Sequence, residues 1–220
     1  MENHCTSSLS LDLHTKNYQY VLDLQREIHE LRCRDKIPDI FIFVEHEPVY
    51  TMGRNSKQDN FPGLKPILVE RGGDVTYHGP GQLVMYPIVR VFNQGEAPDL
   101  RKFVLWVENI ISCALNKLGF HVHGGSEPVI WAYNSASGDK KIASVGMKVK
   151  DGVSFHGVSI NYSREVLEGF AKIKPCGLDP SEMGYLGVGR ETLKDAICKQ
   201  LKKTYGKVEE VGVEYFMENP

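Results

Sequence analysis

The chain has 220 residues, of which 41% are hydrophobic and 25% are charged, and its formal net charge is -2. A chain of this length suggests one domain that buries its core without disulfides or a structural metal. The near-neutral charge gives no general reason to expect nucleic acid or an anionic membrane as a partner.

The cysteines and the first residues of the sequence indicate the cellular compartment of the protein. The five cysteines are odd in number and none form a CxxC pair, so they indicate a reducing compartment rather than a disulfide framework or a zinc site. Residues 1–11 are polar and resemble neither a secretory signal nor an arginine-rich transit peptide. No segment has the ~18–20 apolar residues of a membrane helix. We expect a cytoplasmic protein, or a mitochondrial one if a transit peptide is missing from this sequence.

The first half of the chain is predicted to mix helices and strands. Apolar residues recur at helical spacing over residues 18–31, and Asn17 is a plausible N-cap. Pro87 lies within an apolar, β-branched run and argues for an edge position or a bulge there. The predicted strands of this half are 40–44, 48–52, 67–69 and 83–91.

The second half is predicted to continue as helices around an antiparallel sheet. Residues 100–118 have helical periodicity, and Gly119 is the expected C-cap. Without regular βαβ alternation, the pattern favours an α+β fold with a largely antiparallel sheet. The other predicted elements are strands 120–122, 129–133, 141–149 and 153–160, turns at Gly138-Asp139 and Asp151-Gly152, and helices 165–173 and 191–205.

Residues 71–83 form the most informative stretch, Arg-Gly-Gly-Asp-Val-Thr-Tyr-His-Gly-Pro-Gly-Gln-Leu. A long glycine turn in a hairpin would explain the glycines alone. The polar and aromatic side chains within the same loop indicate instead a backbone that a ligand can approach closely. The stretch lacks the GxxxxGK[ST] and GxGxxG spacings, so the ligand is not obviously a nucleotide.

Two further stretches are predicted to be strands, and each contains one polar residue that is a candidate for the site. In the run 140–146, alternation predicts Lys141, Ala143 and Val145 on one face, with Ile142 and Ser144 on the other. A lone lysine at the start of a strand is usually a solvated residue. The run 156–161, His-Gly-Val-Ser-Ile-Asn, has a glycine in mid-strand, and its histidine alone is more often structural than catalytic.

The fourth stretch is Pro175-Cys176-Gly177. A thiol between proline and glycine sits in a constrained turn and is a poor core filler, so Cys176 is the best nucleophile candidate. The other cysteines read as packing or surface residues in helical contexts, or as part of a mobile terminus: Cys33, Cys113, Cys198 and Cys5.

These four stretches, in this order, resemble the octanoyltransferase family of lipoate biosynthesis. The family pattern is Arg-Gly-Gly-x-x-Thr-[Tyr/Phe]-His-Gly-Pro-Gly-Gln, then Lys-[Ile/Val]-[Ala/Gly]-x-x-Gly, then His-Gly-[hydrophobic]-x-[hydrophobic]-Asn, then Pro-Cys-Gly. The matches are 71–82, 141–146, 156–161 and 175–177. The likeness is strongest over 17–186 of a chain expected to be one catalytic domain, 1–220. The insert 133–139 departs from the pattern, and no motif follows residue 187.

The resemblance implies an α+β fold with a mixed, mostly antiparallel sheet flanked by helices, as in biotin and lipoate protein ligases. It implies transfer of an octanoyl group from octanoyl-acyl carrier protein to a lipoyl-domain lysine through an acyl-cysteine thioester, the first step of endogenous protein lipoylation. The acceptors implied are lipoyl domains of 2-oxoacid dehydrogenase E2 subunits and the glycine-cleavage H protein. No cofactor, metal, nucleic acid or membrane is expected, and the chain should act as a monomer.

Carried over residue by residue, the resemblance makes Cys176 the nucleophile and Lys141 its activator. An ordinary thiol is mostly protonated at neutral pH, so Lys141 acts either as a charged neighbour of the thiolate or as a general base. An apolar tunnel would reward each buried methylene by ~0.8 kcal/mol, and backbone N–H groups around Gly146 and Gly157 are candidates for oxyanion stabilisation. The expected tunnel walls are Arg71, Gly72, Gly73, Asp74, Val75, Thr76, Tyr77 and His78 on one side and Ser144, Val145, Gly146, Gly157, Val158 and Ser159 on the other.

Three alternatives compete with this hypothesis. An ATP-dependent lipoate or biotin ligase on the same scaffold would need ATP and no cysteine, and its glycine loop would differ. An amidotransferase between protein lysines would carry a differently placed cysteine. A non-catalytic module that docks carrier or lipoyl domains would explain the loops but not Cys176 and Lys141 together, and an acyl adduct on Cys176 would exclude it.

Overall fold

The structure, a computed structural model, describes residues 7–91, 99–125, 128–133 and 138–218. Cys5 and residues 134–137 of the insert lie outside this part. The helices are α1 (Tyr18–Cys33), α2 (Leu100–Lys117), α3 (Val166–Phe170), α4 (Arg190–Tyr205) and α5 (Glu214–Glu218). The strands are β1 (Ser8–Lys16), β2 (Ile40–His46), β3 (Val49–Met52), β4 (Ile67–Leu68), β5 (Thr76–His78), β6 (Gln82–Ile88), β7 (Val122–Gly124), β8 (Val129–Ala132), β9 (Lys140–Lys150), β10 (Val153–Asn161) and β11 (Val208–Glu210).

Eight strands form the main sheet, in the order β11-β1-β2-β6-β10-β9-β8-β7. The β11–β1 and β1–β2 pairs are parallel, and the pairs from β2 to β7 are antiparallel. A second sheet of three strands has the order β4-β3-β5. The predicted α+β class, with a mixed and mostly antiparallel sheet, is confirmed.

Alternating side chains of the main sheet form two cores. Ile40, Ile42 and Val44 of β2 pack with Val21 and Ile28 of α1 on one face. Phe41 and Phe43 point to the other face, where they pack with α2 and α4. Because both faces are covered, the central strands are buried throughout. Among the described residues, no helix has the length and apolar character needed to cross a bilayer.

The helix boundaries follow the capping signals of the sequence. The side chain of Asn17 accepts from the backbone N–H of Gln19 (2.9 Å), which confirms the predicted N-cap of α1. Gly119 follows α2 with φ +91°, the left-handed conformation expected of a C-terminal glycine. The predicted helix 165–173 is shorter, since only Val166–Phe170 is helical.

Two predictions about strands need correction. Pro87 lies in β6, which is paired on both sides by β2 and β10, so the edge position is wrong. The β6–β10 ladder is regular only as far as Met85 and Val158, and beyond it the hydroxyl of Ser154 donates to the Pro87 carbonyl (2.7 Å). That interruption accommodates a proline, which has no N–H to donate. The predicted strand 120–122 is shifted to β7, and β1 was not predicted.

Candidate active site

The glycine-rich loop 71–78 is held against β3 and covers one face of the main sheet. Gly53 allows this contact, because a Cβ there would lie 2.4 Å from the Gly73 carbonyl oxygen. The guanidinium of Arg71 is buried and fixes the loop through its two Nη atoms. Nη2 donates to the carbonyl and hydroxyl oxygens of Thr51 (2.9 and 3.0 Å), and Nη1 donates to the Gly72 carbonyl (2.9 Å).

Lys141 lies at the start of β9 and is only 1% exposed. A register shift between Ile130 and Trp131 in the β8–β9 ladder places an extra residue in β9 at Ile142. The regular alternation predicted across this run is therefore wrong. Ala143 packs in the core with α2, whereas Lys141 and Ser144 line the cavity described below.

The backbone of Lys141 is fixed by a segment that follows the Cys176 turn. Lys141 forms a parallel bridge with Met183, and its carbonyl accepts from the N–H of Gly184 (2.9 Å). A Cβ at Gly184 would lie 2.4 Å from the Cβ of Lys140. Only glycine therefore lets this segment run so close to β9.

The Pro175–Gly177 turn presents Cys176 at the surface beside Lys141. Cys176 is exposed and has a left-handed backbone, φ +57°. Gly177 continues in the same region with φ +75°, which costs glycine little, and its N–H donates to the Lys174 carbonyl (3.0 Å). The Nζ of Lys141 approaches the Sγ of Cys176 to 3.8 Å. An exposed thiol thus sits over a buried amine.

One cavity of about 270 Å³ brings the predicted site residues together. Its lining includes Cys176, Lys141 and every predicted tunnel residue except Tyr77. The Tyr77 ring packs against Phe170 (5.8 Å between ring centroids) in a separate apolar cluster, so its predicted place in the wall is wrong. The reason is strand alternation: Thr76 and His78 face the cavity, and Tyr77 faces away.

The cavity also contains residues that the sequence did not indicate. Tyr18 stands at the start of α1, and its ring stacks on His78 (5.9 Å, 9° between planes). Tyr86 reaches the same region from β6. The further apolar lining residues are Val84, Leu100, Val104, Pro128, Val129 and Met147. These positions come from five elements, α1, α2, β6, β8 and β9, and from Pro128 just before β8, and no local pattern marks them.

A chain of hydrogen bonds joins the cavity wall to the lysine segment. The Gly184 carbonyl can only accept, so Nδ2 of Asn161 donates to it (2.9 Å). This leaves Oδ1 of Asn161 to accept from Nε2 of Gln82 (2.9 Å). Oε1 of Gln82 then accepts from Nδ1 of His78 (2.7 Å). His78 therefore carries its proton on Nδ1 and offers Nε2 as an acceptor.

The histidines around this wall are neutral. Burial lowers the pKa of His78 to about 3, and the neighbouring His46 adds to the effect. Burial also lowers the pKa of His46 to about 4. Nδ1 of His46 donates to the Lys16 carbonyl (3.2 Å), so its Nε2 accepts from the Tyr86 hydroxyl (2.8 Å). Burial, then the charge of Arg71, lowers the pKa of His156 to about 3.

The two glycines considered for oxyanion stabilisation lie inside a strand ladder. Gly146 and Gly157 are direct partners between β9 and β10. The N–H of Val145 donates towards β8, to the Pro128 carbonyl (2.9 Å). Successive N–H groups of a strand point to opposite sides, so that of Gly146 faces β10. The geometry therefore does not support these N–H groups as oxyanion donors.

One group of possible metal ligands lies outside this cavity. Asp12, His14 and Glu191 place their ligand atoms within 4.8 Å of one another. Both carboxylate oxygens of Asp12 are already paired, with Arg190 (2.5 and 3.0 Å) and Lys194 (2.7 Å). This cluster is an ion-pair network that joins β1 to α4.

Comparison with known proteins agrees with the motifs. Residues 17–204 match the family model of the lipoyl protein ligase A/B catalytic domain. An octanoyltransferase of Dictyoglomus thermophilum is 34% identical over 215 residues, covering 90% of this chain and 88% of the relative. An octanoyltransferase of Rickettsia massiliae is 37% identical over 169 residues, covering 75% and 80%.

Solved structures show the same fold at low identity. A crystal structure of lipoate-protein ligase A bound with ATP superposes with a TM-score of 0.77 at 13% identity, covering 97% of this chain and 92% of that one. A bipartite lipoate protein ligase of Thermoplasma acidophilum gives a TM-score of 0.73 at 14% identity, covering 97% and 89%. The motifs, the fold and the relatives together show that this chain belongs to the octanoyltransferase family and is an acyltransferase.

Proposed function

We propose that this chain transfers an octanoyl group from the thioester of an acyl carrier protein to a lysine amine of a lipoyl domain, with Cys176 as the covalent acceptor. The observation that carries the proposal is the 3.8 Å separation of Cys176 Sγ and Lys141 Nζ at the opening of the cavity. The names of the relatives support octanoyl as the group, and the match to the lipoyl protein ligase A/B catalytic domain supports lipoylation as the process.

In the first half-reaction, the Cys176 thiolate attacks the carbonyl carbon of the donor thioester. The new S–C bond forms and the bond to the carrier sulfur breaks, so the carrier leaves as a thiol after taking a proton. Lys141 supports this step either as an ammonium beside the anionic sulfur or, when neutral, by accepting the thiol proton. Exchange between two thioesters is nearly isoenergetic and needs no ATP.

In the second half-reaction, the acceptor lysine amine attacks the acyl-Cys176 carbonyl. An amide bond forms, the C–S bond breaks, and the amine proton passes to the departing thiolate or to Lys141. Formation of an amide from a thioester is downhill, so the transfer is effectively irreversible. The exposure of Cys176 suits this step, since a protein-bound lysine must reach the acyl carbon.

The decisive experiment is intact-mass analysis after mixing the protein with octanoyl-acyl carrier protein in the absence of ATP. We expect an adduct of one octanoyl group that is mapped to Cys176, and its discharge when a lipoyl domain is added. Cys176→Ser should form no adduct, and Cys198→Ser, which changes a thiol on α4, should form it normally. An adduct that is absent, or that requires ATP, would favour a ligase on this scaffold.

A further inference from the structure

The backbone of the Cys176 turn needs support from outside the turn. Among the described residues that line the cavity, two that are not glycine have a left-handed backbone: His156 (φ +62°) and Cys176 (φ +57°). Such a conformation costs free energy, which the surrounding contacts must offset. His156 lies in the ladder between β10 and β9, whereas Cys176 is exposed in a turn. The position of its sulfur therefore depends on what holds that turn.

One backbone hydrogen bond ties the Cys176 turn to a remote part of the chain. The N–H of Lys174 donates to the Asn60 carbonyl (2.8 Å). Within the part of the chain that the structure describes, the other backbone hydrogen bonds of residues 174–178 are internal to that segment. Asn60 is the last residue of a single 3-10 turn, Gln58–Asn60, so this short turn supports the nucleophile.

The Asn60 side chain connects this support to the glycine-rich loop. Its amide nitrogen, Nδ2, donates to Oδ2 of Asp74, which lines the cavity. The other carboxylate oxygen of Asp74 accepts from the N–H groups of Val75 (2.6 Å) and Lys57 (3.3 Å). The Lys57 carbonyl in turn accepts from the Asn60 N–H (3.0 Å). The Asp74 carboxylate thus joins the loop to both ends of the 3-10 turn.

The surroundings of Asn60 make this connection firm. Asn60 is only 8% exposed, and the next residue, Phe61, packs with Val75 and Ile173 in one apolar cluster. A hydrogen bond to a carboxylate is roughly twice as strong as one between neutral groups. Asn60 is not among the described residues that line the cavity, so its influence on the sulfur must pass through the backbone at Lys174.

We infer that Asn60 is a positioning residue for Cys176. Its hydrogen bond to Asp74 fixes the carbonyl that receives Lys174, and this keeps the sulfur beside the amine of Lys141. The inference rests on the proposed function and adds to it a residue outside the four motifs. A displacement of about 1 Å at a reacting group can cost roughly a hundredfold in rate. Loss of this link should therefore slow acylation at least about tenfold in fully folded protein.

The first test is Asn60→Leu, which removes the donor without adding a charge, with rates measured well below the thermal midpoint. We expect octanoyl-acyl carrier protein to acylate Cys176 at least about tenfold more slowly. Iodoacetamide should alkylate Cys176 near neutral pH as slowly as in Lys141→Met, which removes the amine. Combining Asn60→Leu with Lys141→Met should slow alkylation no further, because both changes remove the same contact.

The matched control for Asn60→Leu is Gln200→Leu on α4. Gln200 is also 8% exposed, and its side chain also forms one hydrogen bond, to Lys203 (2.8 Å). This variant loses a polar contact of similar burial away from the cavity. Its rates of acylation and alkylation should therefore remain normal.

An exchange of the two side chains separates positioning from a general loss of stability. Asn60→Asp has no donor and sets two carboxylates against each other, so alkylation should slow at least as much as in Asn60→Leu. Adding Asp74→Asn reverses the link and restores the total charge. The amide at position 74 then donates to the carboxylate at position 60, while its oxygen still accepts from the N–H groups of Val75 and Lys57. The double variant should recover most of the alkylation rate.

The outcomes distinguish this inference from the function on which it rests. An unchanged rate–pH profile of alkylation in folded Asn60→Leu overturns the inference, and so does an exchange variant as slow as Asn60→Asp. Alkylation needs no octanoyl donor. If octanoyl-acyl carrier protein fails to acylate the unchanged protein while alkylation responds to Asn60→Leu as expected, the proposed function falls and the positioning of Cys176 by Asn60 stands.

Discussion

The Nζ atom of Lys141, buried at the start of β9, lies 3.8 Å from the Sγ atom of Cys176, which is exposed in the turn Pro175–Gly177. A buried amine below a surface thiol can influence that thiol without blocking it. In the proposed reaction, Cys176 meets the large substrates, while Lys141 lies below it and is shielded from water, so that its interaction with the sulfur is less screened.

The first prediction concerns this pair. In Lys141→Met the long side chain keeps its volume and loses its amine, so we expect alkylation of Cys176 by iodoacetamide near neutral pH to slow roughly tenfold. The thermal midpoint should stay the same or rise, because burying an amine away from water costs more free energy than burying the apolar side chain of methionine. Lys140→Met, at the adjacent position, is the control. An unchanged rate–pH profile in Lys141→Met would remove this lysine from thiol activation.

The second prediction concerns the hydrogen-bond chain from His78 to Gly184. Asn161→Asp keeps the shape of the residue but cannot donate to the Gly184 carbonyl. The loss of a buried donor should lower the free energy of unfolding by about 1–3 kcal/mol, as measured by urea denaturation. Because Gly184 holds the Lys141 backbone, acylation of Cys176 should also slow in fully folded protein.

The control for this experiment is Gln19→Ala, which removes an exposed side-chain hydrogen bond to Asp23. We expect its stability to change by no more than about 0.5 kcal/mol and its acylation rate to remain normal. A stability loss in Asn161→Asp without any change in the acylation rate at full folding would mean that Asn161 has a structural role only.

The third prediction uses the close approach at Gly184. In Gly184→Ala the new Cβ would lie 2.4 Å from the Cβ of Lys140, so the segment at Met183 must move away from β9. We expect a marked loss of both stability and Cys176 acylation. Gly124→Ala is the matched change, because nothing lies within 4 Å of a Cβ there and its φ is not positive. Similar behaviour of the two variants would contradict this account of Gly184.

The fourth prediction is a pH dependence of stability. His46, His78 and His156 have pKa values lowered to about 4, 3 and 3 by burial, whereas unfolded histidine titrates near pH ~6.5. Below that pH the unfolded chain binds protons that the folded chain does not. Stability should therefore be complete above about pH 6.5 and fall towards pH 4, by up to about 1.4 kcal/mol per pH unit for each histidine.

The measurement is the urea midpoint between pH 4.5 and 7.5. His156→Asn should flatten this acid limb, since asparagine does not titrate and tolerates the left-handed backbone. His123→Asn is the opposite case, because the Gly124 carbonyl and then Asp139 raise the pKa of His123. Its contribution is present at low pH and lost as the pH rises, so its removal should not flatten the acid limb. An acid limb unchanged in His156→Asn would contradict the assignment.

Periodic and local signals explain why much of the fold could be predicted. The helical spacing in α1 and the caps Asn17 and Gly119 depend on neighbours within a few positions, and the structure contains them as predicted. The sequence analysis did not predict β1, although Leu9, Leu11 and Leu13 alternate with polar residues as in a half-buried strand. The polar residues between and after these leucines make the segment polar on average, and this hid the alternation. Pro87 led to the wrong prediction of an edge position. The β6–β10 ladder is interrupted at this proline, and the Ser154 hydroxyl of β10 donates to its carbonyl instead.

The residues of the site could be predicted only where they belong to a family motif. The pairing of Cys176 with Lys141 came from a resemblance, because residues 35 positions apart have no local pattern that joins them. Tyr18 packs on His78, and Tyr86 packs on His46. Tertiary packing alone creates these contacts. The left-handed backbone of His156 could not be foreseen either, since neighbouring residues do not dictate it.

The link between Asp12 and Arg190 joins positions 178 residues apart, and β1 is completed on its outer side by β11. During translation, the outer edge of β1 stays unpaired until Glu210, the last residue of β11, has been added. An open edge invites pairing with other chains, and contacts this remote in sequence form slowly. Until α4 and β11 have been translated, the outer edge of β1 is therefore a place where a nascent chain can pair with other chains.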